Sequence, residues 1–337
     1  MSEAPTPTTV KPTVPTTVNV SKGPVPTGGG AQRTPTPTNA KGAFTFGRVT
    51  SQRKGKYLKM LIYGPAGGGK TTLAGSACNI DESSDVLLVT AEGGDIVFEN
   101  NERITRPELI DTMRAVRIEQ IQKVYEWLAR HVAFRDANDE VRLHKLQNIA
   151  FFGNPEITEA EAMAIDPDFD FNRIRRYKTV ILDSLTDIEA QNMNHVLGIA
   201  DEGFSIGDDL TPPGYTEFRK NNNTIQQLVR AFRNLDVHLI ILCGQRFQQD
   251  EMKKFHYGPW LTGQLATQVQ SFVDVVGYMV PSQQDPSQPV VRRLYVEPQV
   301  AVKFDAKCRI ANFKDPFFQN PTFEMILQQC GYVKKAA

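Results

Sequence analysis

Gly64-Pro65-Ala66-Gly67-Gly68-Gly69-Lys70-Thr71-Thr72 is the run of this chain whose residue types and spacing best serve chemistry. It fits the pattern G-x-x-x-x-G-K-S/T at every fixed position. Glycines let successive backbone N–H groups turn inward on a polyphosphate. A helix starting at Thr71 would add partial positive charge at its N-terminus. Lys70 suits the β- and γ-phosphates, and the Thr71 hydroxyl suits Mg²⁺. The pattern has meaning only between a buried strand and a helix. Tyr57 to Tyr63 reads as that strand and Thr71 to Cys78 as the start of that helix.

Three further positions stand at the ends of apolar runs. Asp183 closes Thr179-Val180-Ile181-Leu182, the Walker B pattern, and its carboxylate suits Mg²⁺ beside Thr71. Any core strand can end in Asp, so the metal role rests on the phosphate loop upstream. Ser184 follows it, where many ATPases carry a water-activating carboxylate. Glu92, just past the run Asp85 to Thr90, is the candidate for that general base. The alternative is a carboxylate capping a turn with Gly93 and Gly94. Asp187, one turn past Asp183, suits either the metal surroundings or a helix cap. Gln245, after Val237 to Cys243, suits a γ-phosphate sensor or an amide bound to loop backbone.

The elements that must position these residues follow from hydrophobic patterning. Continuous apolar strands alternate with helical periods, such as Ile118, Ile121, Val124, Tyr125, Leu128 and Val132. A second helical stripe is Phe218, Ile225, Leu228, Val229, Phe232 and Leu235, and another helix starts after Ser184. This predicts an α/β fold with a mainly parallel central sheet and helices on both faces. Residues 134–176 show less regularity, and β-like runs lie near Val275 to Val280, Arg292 to Val296 and Val300 to Phe304. The segment from Gln245 to Pro259 reads as a long polar and aromatic loop.

With 38 basic and 38 acidic residues the formal charge is zero, so no global field advertises nucleic acid. Cys78, Cys243, Cys308 and Cys330 form no C-x-x-C pair, which argues against structural zinc and a disulfide framework and for a reducing, cytoplasmic setting. No apolar run reaches the roughly 18 residues of a membrane span, and no signal-peptide core stands at the N-terminus. Residues 1–43 are rich in Pro and Thr with few large apolar side chains, which predicts a disordered tail. The domain proper is expected over 44–337. The tail is mostly basic (Lys11, Lys22, Arg33 and Lys41 against Glu3), which suits nucleic acid, an acidic partner or a plain linker. Glu156, Glu159, Glu161, Asp166, Asp168 and Asp170 form an acidic stretch, either a partner surface or a solvated loop.

The phosphate loop, Ala91-Glu92, Leu182-Asp183-Ser184 and Gln245 together resemble the RecA-like recombinase core. The chain is more closely similar to compact phage nucleotide-binding, AAA-domain proteins of the RecA-like, single-strand-annealing type. Gly258-Pro259-Trp260-Leu261-Thr262-Gly263-Gln264-Leu265, then Asp274-Val275-Val276-Gly277-Tyr278, carry that closer match, as does Ala306-Lys307-Cys308-Arg309. The likeness spans about Lys56 to Arg309, and Cys308 stands where that group usually has an acidic residue. The resemblance implies a RecA-like P-loop NTPase core in which the Gln245 strand lies between the phosphate-loop and Asp183 strands. It also implies ATP, with Mg²⁺, at a subunit interface of a ring or filament. Lys307 and Arg309 are then candidates to reach a neighbour's γ-phosphate, or else are surface charge near a hairpin. Segments 199–215 and 246–258 are candidate loops for single-stranded DNA. Arg246, Phe247, Lys253 and Lys254 in the second combine phosphate contact with base stacking, though a subunit contact would use the same residues. The expected function is an Mg²⁺-dependent, DNA-stimulated ATPase that oligomerises on single-stranded DNA in phage recombination, annealing or repair, in the host cytoplasm. The alternatives are a loader or remodeller of a replication or single-strand-binding protein, and a small-molecule phosphotransferase.

Overall fold

The computed structural model describes residues 57–91, 94–98, 101–115, 117–199, 212–249, 255–283, 285, 287–298, 303–310 and 317–334. The Pro-Thr tail, Glu92, Lys253, Lys254 and most of 199–215 lie outside the described residues.

In chain order the elements begin with β1 (Lys59–Tyr63), α1 (Lys70–Gly75), β2 (Val86–Thr90), β3 (Ile110–Arg114) and α2 (Ile118–Asp136). Then come α3 (Glu140–Phe152), α4 (Glu159–Ile165), β4 (Thr179–Asp183), α5 (Leu185–Leu197), α6 (Tyr215–Arg233) and β5 (His238–Cys243). The remainder holds β6 (Gln245–Gln249), β7 (Phe255–Pro259), α7 (Leu265–Phe272), β8 (Val275–Ser282), β9 (Val291–Tyr295), β10 (Lys303–Phe304), β11 (Lys307–Cys308), β12 (Phe317–Gln319) and α8 (Phe323–Cys330).

The main sheet runs β12-β9-β8-β1-β5-β4-β2-β3, with β11 added on β8. From β8 to β3 every pairing is parallel, whereas β9, β11 and β12 pair antiparallel. β5 separates β1 from β4, the order that the RecA resemblance implies. Strands buried on both faces need apolar residues at every position, which is why their sequences lack alternation. One face carries Leu61, Leu87, Val180 and Ile241 against α2, α5, α6 and α7. The other carries Met60, Leu88, Ile181 and Ile240 against α1 and α8. Lys59 is the exception within β1. Its ammonium donates to the carbonyls of Leu235 and Val237 at 2.7 and 2.5 Å, and burial lowers its pKa to about 8.

Several expectations need correction. Residues 246–258 do not form one long loop. β6 and β7 pair antiparallel from Gln245↔Pro259 to Gln249↔Phe255, and β10 joins them in a separate three-stranded sheet. Phe247, Tyr257 and Phe255 fall on one side of that ladder, a period of two hidden among Gln and Arg. Gln245 therefore opens β6 and does not end β5. The less regular stretch holds the end of α2, all of α3 and α4. Its acidic residues serve local structure: Thr158 and Glu161 cap α4 reciprocally, Glu156 pairs with Lys145 at 2.5 Å, and Glu159 accepts from Asn172. Among the described residues no helix is long and apolar enough to cross a membrane.

Phe232 is 1% exposed between α6 and the sheet, so truncation leaves a cavity. Phe232→Ala is expected to lower unfolding free energy by about 3–5 kcal/mol in urea titrations. A loss under about 1 kcal/mol would contradict the packing of α6 onto this core.

Candidate nucleotide-binding site

The loop 64–69 leaves β1 at the carboxyl edge of the sheet, where open α/β folds bind ligands. Two of its glycines are required by geometry. A Cβ on Gly64 would stand 2.0 Å from the Met279 carbonyl oxygen of β8, so only glycine allows that approach. Gly69 takes φ +91°, a left-handed conformation that side chains disfavour. The Gly68 N–H closes the loop on the Pro65 carbonyl at 3.2 Å. α1 is short and passes into a tight turn at Ser76–Asn79. An anion at this loop would therefore be held by the loop amides and Lys70 more than by a long helix dipole.

Lys70 donates to the Gly64 and Pro65 carbonyls at 3.0 and 2.8 Å, arched over the loop that it would share with a phosphate. Burial lowers its pKa, opposed by the Asp183 charge. The Thr71 hydroxyl donates to Asp183 Oδ2 at 2.8 Å. Burial raises the Asp183 pKa, and the Thr71 hydrogen bond and Lys70 charge oppose that rise. A hydroxyl and a carboxylate held together are the hard oxygen donors that Mg²⁺ accepts. The Asp183–Ser184 peptide is cis. Ser184 caps α5 and its hydroxyl donates to Asp187, which places Asp187 in the helix cap. β2 brings its end alongside: Thr90 is registered with Asp183, and the Ala91 N–H donates to the Asp183 carbonyl at 3.2 Å. Glu92 is the next residue, outside the described set.

The site is tied to the β6–β7 hairpin through α5. The Gly244 N–H donates to Thr186 Oγ1 at 2.9 Å, and that hydroxyl donates to the Trp260 carbonyl at 3.0 Å. Glu189, one turn on, is buried and accepts from the Thr262 N–H and from Asn221 of α6. Burial raises its pKa. The Gln245 side-chain oxygen accepts from the Tyr278 hydroxyl at 3.2 Å, so its amide pairs with a side chain rather than with loop backbone. Phe247 and Phe255 stack with centroids 4.6 Å apart and are each about half exposed. Arg246 donates to the Leu261 carbonyl at the hairpin root.

Lys307 and Arg309 are not brought to this loop. Lys307 is registered with Val276 and the Arg309 N–H donates to the Asp274 carbonyl, at the start of β8, while the loop lies past the end of β1. Lys307 is anchored on the Gln270 carbonyl, and burial with the Arg309 charge lowers its pKa to about 8. Three neighbours of the loop escaped sequence reasoning. Asn101 lies 3.5 Å from the Thr72 hydroxyl, Arg292 packs on Gly69, and Arg103 joins Arg292 through Asn320. Their contacts cross long stretches of chain, and no spacing signals them.

A glycine-lined loop after a buried strand, with Lys70 and Thr71 facing an aspartate two strands away, defines a P-loop ATPase-type protein. The chain belongs to the AAA domain family, whose match spans residues 56–310. No curated protein matches it. Among solved structures it is similar to the RadB recombinase crystal structure, at 12% identity and a TM-score of 0.35, over 71% of this chain and 79% of that one.

Because burial raises the Asp183 pKa above its ordinary 3.8, its ionisation weakens the nucleotide-free fold. The penalty grows as pH rises from that ordinary value to the higher folded one, then stays constant. Asp183→Asn is therefore expected to match or exceed the wild-type melting temperature at pH 7 while losing Mg²⁺-dependent ATP binding. A clearly lower melting temperature at pH 7 would contradict the electrostatics assigned to this carboxylate.

Proposed function

We propose that this protein binds and hydrolyses ATP with Mg²⁺, and that it oligomerises on single-stranded DNA in phage recombination, annealing or repair. The observation that carries the ATPase reading is the junction of Lys70, Thr71 and Asp183 over one glycine-lined loop. Loop amides and Lys70 bind the β- and γ-phosphates. Thr71 and Asp183 would hold Mg²⁺, which would supply charge neutralisation to the β- and γ-phosphates. Glu92 is assigned the orientation and deprotonation of the attacking water. The delivery of β2 to Asp183 supports that assignment.

DNA binding draws its support from the hairpin. Two stacked, half-exposed phenylalanines suit base stacking. Arg246, on the other face of β6, and Lys253 and Lys254, outside the described residues, are assigned to backbone phosphates. Gln245 and the α5 contacts at Gly244, Trp260 and Thr262 give the nucleotide site a mechanical path to that hairpin. Lys307 and Arg309 stand by the start of β8 and not at their own phosphate loop, and are assigned to a neighbour's nucleotide in a ring or filament. The protein is assigned to the host cytoplasm.

ATP turnover with and without single-stranded DNA tests this. Wild type should hydrolyse ATP faster when DNA is present. Lys70→Ala should lower turnover on the order of a hundredfold or more. Glu92→Gln should retain ATP while slowing hydrolysis by a similar factor. An unaffected Lys70→Ala rate would remove the assigned site. ATP binding without hydrolysis or DNA affinity, alongside capture of a replication protein, would favour a loader instead.

A further inference from the structure

A second positively charged group lies against the phosphate loop, and the assigned mechanism does not use it. Arg292 stands in β9, registered with Pro281 of β8. A Cβ on Gly69 would meet its Cδ at 2.5 Å and its Nε at 2.6 Å, so stem and guanidinium pack on the last glycine of the loop. The Arg292 N–H donates to Asn320 Oδ1 at 3.0 Å. The Asn320 and Pro321 carbonyls accept from Arg103 at 2.6 and 2.7 Å, which fixes a second guanidinium nearby. Burial, and then the Arg292 charge, disfavours the protonated form of Arg103.

No carboxylate pairs with either arginine among the described residues. Arg292 Nε is buried without a hydrogen-bond partner. A buried donor without a partner calls for one, and beside two half-buried arginines that no carboxylate neutralises an anion is the fitting partner. Position then selects the part of the ligand. Asp183 lies in β4, across β5 from the loop, on the side where the metal and transferred phosphoryl belong. β8 and β9 lie on the opposite side of β1.

We infer that Arg292 contacts the α-phosphate side of the bound nucleotide and holds ATP and ADP alike, an inference that rests on the phosphate-loop reading above. Such a contact is made equally in the ground and transition states, so its loss falls on affinity and KM rather than kcat. Arg292→Gln keeps most of the packing stem and removes the charge. Arg292→Lys keeps the charge without the planar fork.

The test is calorimetric titration of ATP and of ADP, each with Mg²⁺, into the full chain, with turnover and thermal melting in parallel. Arg292→Gln should weaken both nucleotides by about tenfold, as expected for one charge-assisted contact. KM should rise by a similar factor, and Arg292→Lys should recover part of the affinity. The nucleotide-free melting temperature of Arg292→Gln should hold or rise, since like charges are relieved. Wild-type affinity for both nucleotides in Arg292→Gln would overturn the inference. So would weakening of ATP alone, which would move the contact to the γ-phosphate, or a lowered melting temperature with unchanged affinity, which would make the residue structural. If wild type binds neither nucleotide, or Lys70→Ala binds as wild type does, the phosphate-loop reading fails and takes the inference with it.

Discussion

The hydrogen bond from the Thr71 hydroxyl to Asp183 Oδ2 joins the first turn of α1 to the end of β4, with β5 between them. Everything assigned to this site depends on that junction. It requires β1 and β4 to be parallel and their ends level, which the registers of β1 on β5 and β5 on β4 secure. It also requires a buried carboxylate that would otherwise disfavour the folded chain. Burial raises the Asp183 pKa, and Thr71 with Lys70 offsets the effect only in part. A site whose charges are held against their solvation is primed for a cation and a polyphosphate to complete it.

The same aspartate begins a chain of contacts toward the surface. Ser184 caps α5, Thr186 bonds Gly244 and Trp260, and Glu189 fixes Thr262 and Asn221. The root of the β6–β7 hairpin is thus bonded to the helix that leaves β4. An aromatic series runs alongside, from Tyr63 through Tyr278 and Tyr257 to Phe247 and Phe255. A rearrangement at the nucleotide would meet a packed, hydrogen-bonded route to the exposed rings rather than a slack loop. That route is a physical basis for coupling.

What could be read from residues alone follows from burial. β1, β2, β4 and β5 are sheathed on both faces, so each shows as an unbroken apolar run, and α2 and α6 show as stripes of period near four. The phosphate loop and Asp183 stand at the ends of those legible strands. β3 was hidden because Asp111, Thr112 and Arg114 make an edge strand half polar. α3 and α4 were hidden because their packing faces are short and partly aromatic or polar, with Gln147 and Asn148 buried in α3. The hairpin is hidden because β6 is mostly Gln and Arg, with Phe247 its one aromatic residue, and β7 holds Gly258 and Pro259. Arg292 carried no signal, since its contact with Gly69 exists only once β9 is laid beside β8.

The central claim is that this loop holds a triphosphate whose binding needs a metal between Thr71 and Asp183. Calorimetric titration of ATP into the full chain, once with Mg²⁺ and once with the metal chelated, tests it most directly. The account predicts stoichiometric binding that weakens at least tenfold on chelation, and by a similar factor in Thr71→Ala with Mg²⁺ present. No heat of binding in wild type, or an affinity indifferent to both the metal and Thr71, would contradict it.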